Sequence, residues 1–108
     1  MKEFLAQILT LSWENKYSDV HLTTGSKPIV RDNNWDIAIL KDDSPILSRE
    51  NIIDIIKILV WDIGLEKFKS NMELDSSYSF SDGNKYRINC YVDTAWYSIA
   101  MRLIPEVI

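Results

Sequence analysis

The chain is poor in the residue types that build disulfide frameworks, metal centres and nucleophile–base pairs. Its 108 residues include a single cysteine and a single histidine. One cysteine cannot form a disulfide framework, and no cysteine and histidine spacing is typical of a zinc site. This composition favours a reducing compartment, so we expect a cytoplasmic protein.

Positive charge and long apolar runs are also scarce. The formal net charge is −4 at pH 7, so there is no excess of lysine and arginine to neutralise the phosphates of a nucleic acid. No stretch has the length and apolarity of a membrane span, and the N-terminus lacks the features of a signal peptide. We therefore expect neither nucleic-acid binding nor direct insertion into a membrane.

The motifs of common enzyme classes are missing as well. The sequence contains no G-x-x-x-x-G-K-[ST] phosphate loop, no G-x-S-x-G elbow and no H-E-x-x-H. A serine or cysteine nucleophile would need His21 as its base, and nothing in the sequence places Cys90 beside it. Cys90 alternates with Ile88 and Val92, which is typical of a core strand. We predict that this chain alone is not an enzyme, has no catalytic residue and binds no metal or cofactor by itself.

What the chain does contain is the pattern of one α+β domain over residues 1–108. Apolar residues make up 46% of it, enough for a core. Helical spacing predicts a helix over roughly the first 15 residues. A second helix follows the N-cap residue Ser48, is interrupted at Gly64, and continues as a further short helix to about Asn71.

Alternation with a period of two predicts strands on both sides of the second helix. Two or three predicted strands precede the second helix, over residues 19–23, 28–31 and 35–40, and three follow it. The later strands are marked by the alternating residues Leu74, Tyr78 and Phe80, then Tyr86, Ile88, Cys90 and Val92, and finally Ile99, Met101 and Leu103. Short turns join them, so we expect antiparallel pairing. The predicted fold class is α+β, with helices packed on a mostly antiparallel sheet.

The segment from Ser18 to Arg31 contains the only histidine. Asp19 and His21 are two residues apart, so on a strand they share one face. The simpler interpretation is a structural histidine, hydrogen-bonded to a neighbour such as the Asp19 carboxylate. The alternative is a contact to a ligand or to another chain. Gly25 and Pro28 mark a turn after this strand.

Two arginines on the last predicted hairpin form a second candidate cluster. If the hairpin turns symmetrically about residues 94 and 95, Arg87 lies opposite Arg102, on the face away from Ile88. Like charges directly opposite one another are destabilising, so such a pair favours a carboxylate or phosphate between them. Two alternatives stay open: the side chains spread into solvent, or the register is shifted by one residue.

Together these residues resemble the N-terminal domain of the PilT-type hexameric ATPases, which power type IV pilus retraction and are related to type II secretion ATPases. The family pattern S-D-[LIV]-H-L, followed by G-x-x-P and an arginine, is matched by residues 18–22, Gly25, Pro28 and Arg31. Three later patterns, D-x-S-[FY], R-[FY]-R-[VI]-N and R-x-I-P, are similar to residues 75–78, 85–89 and 102–105. The agreement in order and spacing extends along nearly the whole chain.

The resemblance implies a PAS-like domain that precedes a RecA-like motor domain, which would begin after Ile108 and bind ATP and Mg²⁺. In the family this domain packs on the motor domain of a neighbouring subunit of a homohexamer, where its basic residues approach the nucleotide phosphates. By position, these basic residues are Arg87 and Arg102. Asp19, His21, Gly25, Pro28 and Arg31 then have structural or interface roles. The implied location is the cytoplasmic face of the inner membrane, with the pilus platform protein as an indirect partner.

The sequence also departs from the family pattern. Ala95 and Trp96 replace an arginine-glycine pair at the hairpin tip, and Lys85 replaces an arginine. Trp35 and Trp96 could form an aromatic interface patch or pack singly against a helix.

Other functions stay open. The chain could belong to a pilus-assembly or type II secretion ATPase, although the sequence S-D-V-H-L-T-T-G at residues 18–25 favours the retraction type. It could also be a free-standing PAS-like sensor that binds a small ligand in its core, or an adaptor.

Overall fold

The computed structural model describes residues 1–32, 34, 36–80, 83–94 and 96–104. It contains two helices, α1 (Lys2–Glu14) and α2 (Arg49–Asn71). The predicted N-cap of α2 is confirmed: the Ser48 hydroxyl accepts from the Asn51 amide at 3.1 Å, and the Asn51 side chain accepts from the Ser48 amide at 2.9 Å. This reciprocal pair satisfies two backbone donors that would otherwise lack partners at the helix start.

The interruption of α2 lies at Trp61, so the prediction that Gly64 interrupts it was wrong in position. Trp61 has φ 67° and ψ −178°, a region that costs a non-glycine residue about 1–3 kcal/mol. Gly64 lies in the helical segment that follows and has a packing role, because a Cβ built there would lie 2.5 Å from Val60 Cβ. The two predicted helices therefore form one kinked helix.

Within the described residues, six strands form a single sheet in the order β3-β2-β1-β6-β5-β4, and every neighbouring pair is antiparallel. The strands are β1 (Asp19–Thr23), β2 (Ile29–Arg31), β3 (Ile37–Ile39), β4 (Glu73–Ser79), β5 (Lys85–Asp93) and β6 (Trp96–Ile104). The first strand thus pairs with the last at the centre of the sheet. The predicted α+β class is confirmed.

One face of this sheet packs against both helices. Its buried strand residues are Val20, Leu22, Val30, Tyr86, Ile88, Cys90, Tyr97, Ile99 and Met101. They join Leu5, Ile8 and Leu9 of α1 and Ile52, Ile55, Ile56, Leu59 and Phe68 of α2 in one apolar core. The period-two alternation of the strands therefore directs one set of side chains to the helices and the other set away from them.

The register of the last hairpin agrees with the prediction. Arg87 pairs with Arg102, and Asp93 pairs with Trp96. The turn residue Thr94 has φ 49°. Three residues named in the sequence analysis, Ala95, Trp35 and the R-x-I-P proline Pro105, lie outside the described residues. In the part of the chain that the structure describes, no helix has both the length and the apolarity to cross a membrane.

Candidate functional site

The candidate site lies on the sheet face that points away from the helices, which we call the open face. It carries the strand residues that alternate with the core set, including Asp19, His21, Arg87, Asn89 and Arg102. The buried apolar residues of both helices lie in the core on the other side of the sheet. The two predicted arginines and the predicted Asp19 and His21 thus come together on one surface.

Strand pairing arranges the charged residues of the open face in a row across four strands. Arg31 of β2 pairs with Asp19 of β1, Asp19 pairs with Arg102 of β6, and Arg102 pairs with Arg87 of β5. The row ends at Ser77 on β4. Three arginines and one carboxylate therefore share one line perpendicular to the strands, where side chains of directly paired residues are close enough to interact.

Asp19 and Arg102 form an ion pair within this row. Arg102 Nε donates to Asp19 Oδ1 at 2.9 Å, and Arg102 Nη2 lies 3.5 Å from Asp19 Oδ2. The Asp19 side chain is 9% exposed and that of Arg102 is 63% exposed, so the carboxylate is fixed and the guanidinium lies over it. The hydrogen bond to Asp19 and its charge raise the pKa of Arg102.

A carboxylate therefore lies beside the arginine pair, as expected, but it does not lie between the two arginines. Asp19 lies on the β1 side of Arg102, whereas Arg87 lies on its β5 side. Arg87 is exposed, and its side chain forms no hydrogen bond or ion pair with any residue that the structure describes. One arginine of the pair is held by a carboxylate and the other keeps its donors available.

A shallow depression of about 270 Å³ lies beside this row. Ala100 explains its shape: this short side chain stands between His21 on β1 and Asn89 on β5. The Asn89 side-chain amide donates to Asp75 Oδ1 at 2.7 Å. Asp19, Arg87 and Arg102 also line the depression, so guanidinium donors and carboxylate acceptors converge on it.

His21 is half-buried and uncharged near neutral pH. Burial lowers its pKa, the charges of Arg31 and Arg102 lower it further, and the Asp19 carboxylate opposes them. The hydrogen bonds among the described residues do not include the predicted one between His21 and Asp19, and the Asp19 carboxylate accepts from Arg102 instead. An interface role for His21 stays a prediction.

The remaining predicted residues of the first segment lie around the ends of β1 and β2. Gly25 has φ 85°, which favours glycine, and its amide donates to the Leu47 carbonyl at 2.7 Å. The Pro28 carbonyl accepts from the Leu40 amide at 3.1 Å, and that of Arg31 accepts from the Ser18 amide at 2.9 Å. These bonds fix the turn and both ends of β2.

Two further observations concern predicted side chains. Cys90 is buried in the core, where burial and, to a lesser extent, Asp75 raise the pKa of its thiol to about 12, so it is not a thiolate nucleophile at neutral pH. Trp96 is 51% exposed, and a Cβ built on Gly25 would lie 3.8 Å from its ring. Its ring therefore lies close to the Gly25 turn.

Asp75 and Ala100 were not predicted as site residues. The signal that could have found them is the register of the arginine hairpin: Ala100 lies two residues before Arg102, and Asn89, two residues after Arg87, pairs with both Ala100 and Asp75. A single hairpin register therefore locates most of the depression.

Comparison with solved structures finds this fold in larger ATPase chains. A crystal structure of the pilus retraction motor PilT with bound ADP matches with a TM-score of 0.84 and 24% identity, over 94% of this chain and 29% of that one. The Legionella pneumophila ATPase DotB matches with a TM-score of 0.79 and 19% identity, over 94% and 29%. The Yersinia pseudotuberculosis ATPase DotB matches with a TM-score of 0.65 and 17% identity, over 96% of this chain and 29% of that one.

These likenesses confirm, at the level of the fold, the resemblance to PilT-type ATPases. The chain spans less than a third of the length of the chains it matches. No protein-family model and no curated protein sequence matches it.

Proposed function

We propose that this chain is the N-terminal domain of a hexameric ATPase that powers type IV pilus retraction in the cytoplasm. The fold it shares with the retraction motor PilT supports this proposal, as does the run of family motifs from Ser18 to Arg102. In this proposal a RecA-like domain after Ile108 binds ATP and Mg²⁺ and carries out hydrolysis. The present chain contributes contacts to neighbouring subunits of a homohexamer, and the pilus platform protein is an indirect partner.

The observation that carries the proposal is the pair formed by Arg87 and Arg102. The two residues are directly opposite each other on adjacent strands and project from the open face. Two neighbouring guanidinium groups offer several N–H donors in fixed planes, which suits the oxygens of a phosphate group. On the open face, which the chain's own helices leave uncovered, they can meet a nucleotide held by another domain.

In the proposed hexamer, ATP supplies the transferred phosphoryl group and this domain supplies positive charge beside it. Negative charge spreads over the phosphoryl oxygens during transfer, so fixed donors there stabilise the transition state. Arg87 brings a charge with no described counterion, whereas Asp19 offsets much of the charge of Arg102. We therefore expect the larger electrostatic contribution from Arg87.

The test is the ATPase activity of the full-length protein carrying Arg87→Ala or Arg102→Ala. Each substitution should lower turnover by about a hundredfold or more, the lower end of the range for removing a donor to developing charge. The 108-residue chain with either substitution should keep its circular dichroism spectrum, because both side chains are exposed. Lys67→Ala, which removes an exposed positive charge from α2, is the matched control and should keep full activity.

Two results would overturn the proposal. Unchanged turnover in both arginine variants would remove the arginines from the nucleotide site. A natural protein ending at Ile108 would remove the motor domain, whereas a G-x-x-x-x-G-K-[ST] motif downstream is the expected finding.

A secretion ATPase is the second candidate, favoured by the likeness to the ATPase DotB at a TM-score of 0.79. The arginine pair would have the same role in both, so only a cellular assay separates them. Deletion of the gene should abolish twitching motility if the motor retracts pili. Normal twitching with a defect in protein secretion would favour the second candidate.

A further inference from the structure

We infer that Asp19 is a positioning residue: its carboxylate holds the Arg102 guanidinium in place beside Arg87, whose own side chain has no described counterion. This inference rests on the proposed function and assigns distinct roles to the two arginines. It also gives a role to the aspartate that the sequence pattern singled out.

The geometry supports this division of roles. Asp19 is 7% exposed although it lies on the open face, and it pairs with Arg102 across the β1–β6 ladder. Two guanidinium nitrogens face its two carboxylate oxygens, at 2.9 Å and 3.5 Å. Two-point contact of this kind fixes the direction of an arginine side chain as well as its distance.

Electrostatics explains why such an anchor is needed. Arg87 and Arg102 are directly opposite each other, and two unscreened positive charges in this arrangement repel. The Arg102 side chain is 63% exposed, so without an anchor it would turn into solvent, away from Arg87. A carboxylate on the far side of Arg102 offsets the repulsion and leaves the side of Arg87 free for a phosphate group.

The first experiment measures ATP hydrolysis by the full-length protein carrying Asp19→Asn. This change keeps the shape of the side chain and removes its charge. We expect kcat to fall by about tenfold, less than the hundredfold or more for removing the donor itself, and KM for ATP to change by less than about twofold, because contacts made mainly in the transition state appear in kcat. Asp19→Glu should restore part of the loss, and Asp54→Asn, an exposed carboxylate-to-amide change on α2, is the matched control and should have no effect.

Double variants test whether Asp19 acts through Arg102. In a protein that already carries Arg102→Ala, Asp19→Asn should cause no further loss, whereas with Arg87→Ala the two losses should multiply. Independent residues would instead give multiplied losses in both pairs. Multiplied losses with Arg102→Ala would therefore overturn the inference.

A spectroscopic measurement on the 108-residue chain is independent of turnover. The Nε–H proton of Arg102 should give a slowly exchanging NMR signal at neutral pH, and Asp19→Asn should broaden or remove it while the backbone spectrum is kept. An equally sharp signal in the variant would overturn the inference. If Asp19→Asn does not fold, Arg102→Lys takes its place in the assay of the full-length protein. This substitution keeps the positive charge but loses the two-point contact with Asp19, so it should lower kcat to a similar extent.

Failure of this inference differs from failure of the proposed function. If Arg87→Ala and Arg102→Ala lower turnover but Asp19→Asn does not, only the positioning role is wrong. If both arginine variants keep full turnover, the proposed function is wrong and the positioning role in it is wrong too.

Discussion

The two faces of the sheet are built from the same strands but differ in what they tolerate. On β6, Ile99 is fully buried against the helices, whereas its neighbour Ala100 forms the floor of the depression on the open face. On β5, Ile88 and Arg87 make the same contrast. Adjacent positions thus differ in burial and in polarity, so substitutions one residue apart should have different consequences.

The largest expected effect is on the core face. Ile99→Ala removes a fully buried side chain and should lower the free energy of unfolding by about 2–5 kcal/mol, since both burial and packing are lost. Urea denaturation of the 108-residue chain measures this change. A loss below about 1 kcal/mol would mean that this face is not the close-packed one.

At the adjacent position on the open face, a substitution should leave stability almost unchanged and lower activity. Ala100→Leu adds bulk between His21 and Asn89 and fills the depression without entering the core. We expect the free energy of unfolding to change by no more than about 0.5 kcal/mol and the turnover of the proposed full-length ATPase to fall several-fold. Full turnover would show that the depression is not used.

Acid should destabilise the chain through His21 on the open face. Burial lowers its pKa from 6.5, so as the pH falls below about 6.5 the unfolded chain binds the proton before the folded one does. Stability contributed by the neutral imidazole is present above that pH and is lost as the pH falls through the lowered folded value. His21→Gln should flatten this part of the profile of unfolding free energy against pH. The same slope in both proteins would show that another group titrates there.

The smallest effect is expected at Ser98, a residue of the open face that is as buried as the residues of the core face. Ser98 belongs to the open-face set, yet it is 1% exposed and its hydroxyl has no hydrogen-bond partner among the described residues. Ser98→Ala removes an unpaired buried polar group, so we expect the free energy of unfolding to stay the same or rise by up to about 1 kcal/mol. A clear fall in the melting temperature of Ser98→Ala would indicate that the hydroxyl has a hydrogen-bond partner in solution.

Local sequence patterns were sufficient for the elements and for one register. Alternation at Tyr86, Ile88 and Cys90 predicted the core face of β5, and the short connection to β6 predicted that Arg87 opposes Arg102. These properties depend on neighbours in the chain, because a tight hairpin fixes its own register.

The partner of Arg102 depends on distant contacts and was missed for that reason. Asp19 is 83 residues away in sequence, and it reaches Arg102 only because β1 and β6 are adjacent, an order that no local pattern specifies. The helix break was misplaced for a different physical reason. Glycine is the residue expected at a positive φ, and here Trp61 adopts that conformation while Gly64 is used for close packing.

The pairing of the first strand with the last has a consequence for synthesis of the protein. β1, β2 and β3 leave the ribosome early, but the central edge of β1 stays unpaired until β6 has been made. The nascent chain therefore carries an open strand edge until residues 96–104 have been made, and exposed edges of this kind invite pairing with other chains. Chains that end before Ile104 should associate rather than fold, and the native sheet should form late and slowly.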